Sequence, residues 1–91
     1  MDAGLRLSIT GVVQGVGFRY FVLRTAQQLD ITGWVQNETN GSVTAEVFGT
    51  VGALKELIAS LRVGNRLSTV KGIHEQPIPP DPEMKTFEIR R

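Results

Sequence analysis

The sequence predicts an α+β fold, a ferredoxin-like split β-α-β sandwich in which an antiparallel sheet of four to five strands carries two helices on one face. Three observations predict it. Period-two alternation of apolar residues marks strands, and apolar residues at helical spacing mark two helices between them. The elements then follow in the order β-α-β-β-α-β with one extra strand at the end. Two helices with one apolar stripe each must bury those stripes on the same sheet face, and parallel crossovers within a sheet are right-handed. The other face of the sheet is expected to be exposed or thinly covered.

Taken in order, Leu5, Leu7 and Ile9 alternate with Arg6, Ser8 and Thr10, giving a first strand that runs into Val13. Glycines at 11, 15 and 17 break the pattern. Val22, Ala26 and Leu29, with Leu23 beside them, then predict a helix from about Tyr20 to Asp30. Gly33 to Asn37 and Val43 to Phe48 read as two strands, and Asn40-Gly41 between them suits the positive φ of a tight hairpin turn. Leu54, Leu57, Ile58 and Leu61 form one apolar stripe on a second helix over 51–62 that stops near Gly64. Thr69 to Gln76 is a strand in which Val70 and Ile73 fail to alternate and Gly72 marks a bulge. Pro77, Pro79, Pro80 and Pro82 make an extended loop, and Thr86 to Arg90 closes the chain as a short edge strand.

The length of 91 residues fits one domain spanning residues 1–91, and 41% hydrophobic content is enough to give it a core. No cysteine is present, which excludes disulfide frameworks, thiolate metal sites and cysteine nucleophiles. The first residues, Met1-Asp2-Ala3-Gly4-Leu5-Arg6, do not read as a signal peptide. No apolar segment approaches the roughly 20 residues of a membrane span. A soluble cytoplasmic monomer is therefore expected, with no membrane partner. The net charge of +1 gives no global field that would draw in nucleic acid. Any anion must be gripped locally.

Such a grip is offered by Gly11-Val12-Val13-Gln14-Gly15-Val16-Gly17-Phe18-Arg19, which joins the first strand to the first helix. Gly15 and Gly17 free the backbone to turn N–H groups inward, and the helix N-terminus just beyond adds partial positive charge. Arg19 contributes a planar fork of donors suited to phosphate oxygens. Taken alone, the glycines are equally compatible with a tight connection and Arg19 with a solvated first-turn residue. The segment is neither a P-loop, since no Lys-Ser or Lys-Thr follows, nor a dinucleotide fingerprint, since position 20 is Tyr.

Together with Gly33-Trp34-Val35-Gln36-Asn37 and Gly41-Ser42-Val43, this segment closely resembles the acylphosphatase family in order and spacing, over nearly the whole chain. The resemblance implies a hydrolase that splits acyl phosphates into a carboxylate and inorganic phosphate. It implies that Gln14, Gly15, Val16, Gly17, Phe18 and Arg19 cradle the phosphate, that Arg19 is catalytic, and that Asn37 positions water. A small-molecule acyl phosphate is the implied partner. Two departures from the family's usual residues, Asn40 before the hairpin glycine and Asn65-Arg66 after Gly64, are expected to lie off the site.

The chemistry agrees with the residues at hand. A carboxylate leaving group has a conjugate acid of pKa roughly 4 and needs no proton at neutral pH. Positioning and charge stabilisation of the equatorial oxygens remain to be supplied, and a nest of N–H groups with one guanidinium can supply them. No cofactor or metal is expected: His74 has no acidic or cysteine neighbours at ligand spacing and reads as an ordinary strand residue. Asn37 alone would read as a strand-end residue, Trp34 as core, and Ser42 as a turn residue or a support for Asn37. Two other readings compete with the enzyme. One is a non-catalytic module that binds acyl or carbamoyl phosphate, as in the acylphosphatase-like domain of hydrogenase maturation factors, whose chains are longer. The other is an RNA-recognition-like domain, which shares the element order but carries its aromatic signature on a strand, whereas Tyr20 to Val22 begin a helix.

Overall fold

The computed structural model describes residues 2–91. Its elements are β1 (Asp2–Val12), α1 (Phe18–Gln28), β2 (Thr32–Asn37), β3 (Val43–Thr50), α2 (Val51–Val63), β4 (Thr69–Ile78) and β5 (Phe87–Arg90). The five strands form one sheet in the order β4-β1-β3-β2-β5. β1 and β2, joined by α1, both pair antiparallel with β3, which lies between them. That is the expected split β-α-β arrangement.

β5 departs from the expected antiparallel pattern. It pairs parallel with β2, with Gly33 opposite Phe87, so the sheet is mixed. The reason is the connection. Residues 79–86 stay at the end of the sheet where β4 finishes and β2 begins, so β5 must start where β2 starts.

Along each strand the side chains sort by face. Leu7, Ile9, Val35, Val43, Ala45 and Val47 point toward the helices and meet Phe18, Val22, Ala26, Leu54, Leu57 and Leu61 in one buried cluster. All four apolar stripe residues of α2 are buried. Leu57 is fully buried, and Leu57→Ala is expected to lower unfolding free energy by about 2 to 5 kcal/mol in chemical denaturation. Trp34 is buried too, but on the face away from the helices, where the Arg90 guanidinium lies 4.7 Å from its ring centroid. It therefore belongs to the thin cover of the open face and not to the helix-facing core. The same face carries the Arg6–Glu46 ion pair at 2.6 Å.

The caps explain where the helices sit. α1 begins two residues earlier than its apolar spacing suggests, because left-handed Gly17 turns the chain directly into Phe18, whose ring is buried. It ends at Gln28, short of the expected Asp30. Asp30, at φ 56, closes it with its own N–H on the Gln27 carbonyl while the Ile31 N–H reaches the Ala26 carbonyl. This is a Schellman closure with Asp in the place glycine usually takes. Thr50 caps α2 by accepting from the Ala53 N–H at 3.1 Å.

Two loops differ from the sequence reading. The β2–β3 turn spans Glu38 to Gly41 and is closed by the Gly41 N–H on the Glu38 carbonyl at 3.3 Å. Asn40 has no positive φ there; only Gly41 does, so the turn is a longer loop with a left-handed glycine after it and not a two-residue hairpin turn. Pro77 lies within β4 and not in the loop, which an edge strand tolerates because its outer N–H groups have no partner to lose. The bulge expected near Gly72 is present: Thr10 pairs with Gly72 and Gly11 with Val70, leaving Lys71 unpaired between them. No helix among the described residues is long and apolar enough to cross a membrane.

Candidate active site

β1, β2 and β5 all finish at the same end of the sheet, where α1 starts. The side chains that leave those strand ends therefore converge. Gly33, Val35 and Asn37 share the helix-facing side of β2, and Asn37, as the last of them, projects beyond the packed core toward the 13–17 loop. A cavity of 220 Å³ is lined there by Val13, Gly15, Gly17, Phe18, Arg19 and Asn37, with Tyr20, Ile89 and Arg91 at its other walls.

The loop backbone is set for an anion. Gly15 and Gly17 have φ of 73° and 76°, in the left-handed region where a Cβ is costly. Space is not the reason for glycine at either position: an added Cβ would meet nothing within 4 Å at Gly15 and only the Asn65 amide at 3.7 Å at Gly17. Among the described residues, the N–H groups of Gly15, Val16 and Gly17 donate to no protein acceptor. The first turn of α1 adds further unpaired N–H groups. Donors without acceptors, gathered at a helix N-terminus, favour an anion of phosphate size.

Among the described residues the Arg19 side chain makes one hydrogen bond, from Nη1 to the Arg90 carbonyl at 3.3 Å. The contact ties the guanidinium to the end of β5, a tether that β5 alone supplies. The remaining donors of the fork are unspent on protein. Asn37 Oδ1 is buried and has no hydrogen-bond partner. A buried acceptor left unpaired costs free energy; the oxygen is enclosed, while Asn37 as a residue lines the cavity.

Two of the residues expected to cradle the phosphate stand apart from the cavity wall. The Gln14 side chain donates to the Glu38 carbonyl at 2.7 Å and the Ser42 carbonyl at 2.8 Å. It clamps the β2–β3 turn against the loop, and so fixes Asn37 relative to Arg19. Val16 packs against the core, and its carbonyl accepts from Asn65 Nδ2 at 2.7 Å. Ser42 serves the turn: its N–H and hydroxyl both donate to Asn40 Oδ1.

Asn65 corrects an expectation. Placed off the site by sequence reading, it touches the phosphate loop directly. Nothing local in the sequence marks it, because the contact joins positions 49 residues apart. His74 lies exposed on β4, paired with Ser8. No group of three His, Cys, Asp or Glu side chains able to hold a metal occurs among the described residues. A larger cavity of 750 Å³, running from Phe48 to Lys85, lies at the opposite end of the sheet, but Asp2, Asp30 and Asp81 line it and outnumber that one lysine. Three carboxylates repel the anion that the first cavity invites.

Comparison with known proteins gives the chain a family and a fold. The family model described as acylphosphatase matches residues 5–89. The chain is 43% identical over 83 residues to the acylphosphatase of Salinibacter ruber, a match covering 91% of this chain and 87% of that one. Its fold superposes on the crystal structure of the acylphosphatase from Bacillus subtilis with a TM-score of 0.94 at 32% identity, over 100% of both chains. It is also similar to HypF from T. kodakarensis, with a TM-score of 0.85 at 28% identity, where it covers 100% of this chain and 12% of that one.

Proposed function

The chain belongs to the acylphosphatase family and hydrolyses acyl phosphates, and from that premise we propose that Arg19 and the 14–19 loop hold the phosphate while Asn37 places the attacking water. One observation carries this assignment: Arg19, the glycines of the loop and Asn37 all border one cavity. Of the loop residues, Gln14 contributes its backbone, since its side chain is committed to the turn.

The water oxygen forms a bond to phosphorus as the bond from phosphorus to the acyl oxygen breaks. The electron pair leaves with the carboxylate, which needs no proton. Charge on the equatorial oxygens is met by the nest and by Arg19. The Asn37 amide orients the water by hydrogen bonding and cannot take its proton. No Asp, Glu or His side chain lines the cavity, so the proton passes to a phosphate oxygen. The enzyme is favoured over a purely binding module because relatives matched over 87% of their length bear the acylphosphatase name.

The remaining features follow from composition and edges. A net charge of +1 supplies no nucleic-acid footprint, and a chain without cysteine suits the cytoplasm. The edge strand β4 carries Pro77 and a bulge, and β5 is only four residues long, which together discourage edge pairing and support a monomer.

Purified protein is expected to hydrolyse benzoyl phosphate in excess EDTA at an undiminished rate, with inorganic phosphate as a competitive inhibitor. Loss of turnover in chelator, restored by magnesium or zinc, would contradict the mechanism. Non-competitive inhibition would place the anion elsewhere.

A further inference from the structure

We infer, on the basis of the phosphate-loop reading above, that Asn65 is a positioning residue which fixes the direction of one N–H in the anion nest by holding the Val16 carbonyl. The residue is itself firmly placed. α2 ends at Val63, and Gly64 turns the chain so that residues 64–68 stand beside the 13–17 loop. Asn65 is then pinned by Ser68: its N–H donates to Ser68 Oγ at 3.0 Å, and its carbonyl accepts from Ser68 Oγ at 3.0 Å and from the Ser68 N–H at 3.1 Å. With its main chain held, its side-chain amide donates to the Val16 carbonyl at 2.7 Å.

The consequence lies in the geometry of a trans peptide. The carbonyl of Val16 and the N–H of Gly17 belong to one planar unit and point in opposite directions. Drawing the carbonyl toward Asn65 therefore aims the Gly17 N–H away from Asn65. Gly17 lines the cavity with Arg19 and Asn37, and its N–H has no protein acceptor. This peptide turns about Val16 ψ and Gly17 φ, and Gly17 brings no side chain to oppose that rotation. Rotation would exchange a donor facing the phosphate for a carbonyl oxygen, which repels it. The Asn65 amide is the contact that holds the productive direction.

Asn65 Oδ1 gives a second reason. It is buried without a partner, a cost that an apolar residue filling the same space would avoid. An amide retained there at that cost is retained for its donor.

Inorganic phosphate is the probe. In Asn65→Ala its dissociation constant, by calorimetry, is expected to rise about tenfold, the scale of one misaligned hydrogen bond to a charged group. Asn65→Gln, which keeps a donor one methylene further out, should fall between Ala and the parent. In the parent protein, saturating phosphate should shift the Gly17 amide proton downfield, and in Asn65→Ala that shift should shrink. Asn65→Leu, close in volume and without a donor, takes the place of Ala if Ala does not fold. A merely structural tie would lower the melting temperature and leave phosphate affinity and the Gly17 shift unchanged, which overturns the inference alone. A Gly17 amide indifferent to phosphate in the active parent protein would overturn the phosphate-loop reading, and this inference with it.

Discussion

Arg19→Lys is expected to lower kcat/KM for benzoyl phosphate about a thousandfold, the scale on which transition-state charge is lost when a positioned donor is removed. Lysine keeps the charge, so the loss tests geometry. The guanidinium presents a rigid planar fork that can meet two phosphate oxygens at once, whereas an ammonium is a point charge on a flexible stem. Arg19 also uses Nη1 to reach the Arg90 carbonyl at 3.3 Å, and that contact sets the direction from which the fork approaches the loop. A lysine has no second arm with which to keep both contacts. Both KM and kcat should suffer, since the fork meets the phosphate in the ground state and more charge in the transition state. Near-normal kcat/KM in Arg19→Lys, with the fold intact by circular dichroism, would show that the fork geometry is irrelevant.

Asn37→Ala is expected to separate rate from binding. The loop and Arg19 already supply the donors an anion needs, whereas the amide of Asn37 offers an acceptor as well. Asn37 lines the same cavity as Arg19 and the glycine loop, where its amide is placed to orient a water. Removing it should leave the dissociation constant for inorganic phosphate nearly unchanged. The single-turnover rate with benzoyl phosphate should fall on the order of 100-fold or more, because orientation of a nucleophile accounts for several kcal/mol of barrier. Loss of phosphate affinity as severe as in Arg19→Ala would make Asn37 an anion ligand instead. Full turnover would remove it from the mechanism.

The parts of the fold most legible in the sequence are those decided by local burial. Leu54, Leu57, Ile58 and Leu61 repeat at helical spacing because one helix face meets the sheet, and all four are buried. Leu7 and Ile9 alternate with polar residues because only one face of β1 meets the helices. What local pattern could not show is long-range pairing. β5 joins β2 in parallel because a loop carries it there, and no periodicity within Phe87 to Arg90 distinguishes parallel from antiparallel neighbours. Trp34 reads as core because it is large and apolar, yet its burial under Arg90 depends on β5 arriving beside it.

The same division holds at the site. Gly15, Gly17, Arg19 and Asn37 stand out because their residue types suit a phosphate and a water, and all four border one cavity. The residues that fix them do not stand out. Gln14 looks like part of the phosphate loop by position, but its side chain bonds to carbonyls 24 and 28 residues away. Asn65 looks like a turn residue after a helix. A single amide donating to a distant carbonyl leaves no repeat, charge or spacing for a sequence to display.

A crystal structure with orthovanadate, a mimic of the pentacoordinate phosphorus, is the most direct test. Vanadium is expected in the cavity at the start of α1, its equatorial oxygens within hydrogen-bond distance of the N–H groups of the 15–19 loop and of the Arg19 fork, and an apical oxygen on Asn37. Vanadate in the cavity between Phe48 and Lys85 at the opposite end of the sheet, or bound at the loop with Asn37 turned away from every apical oxygen, would contradict it.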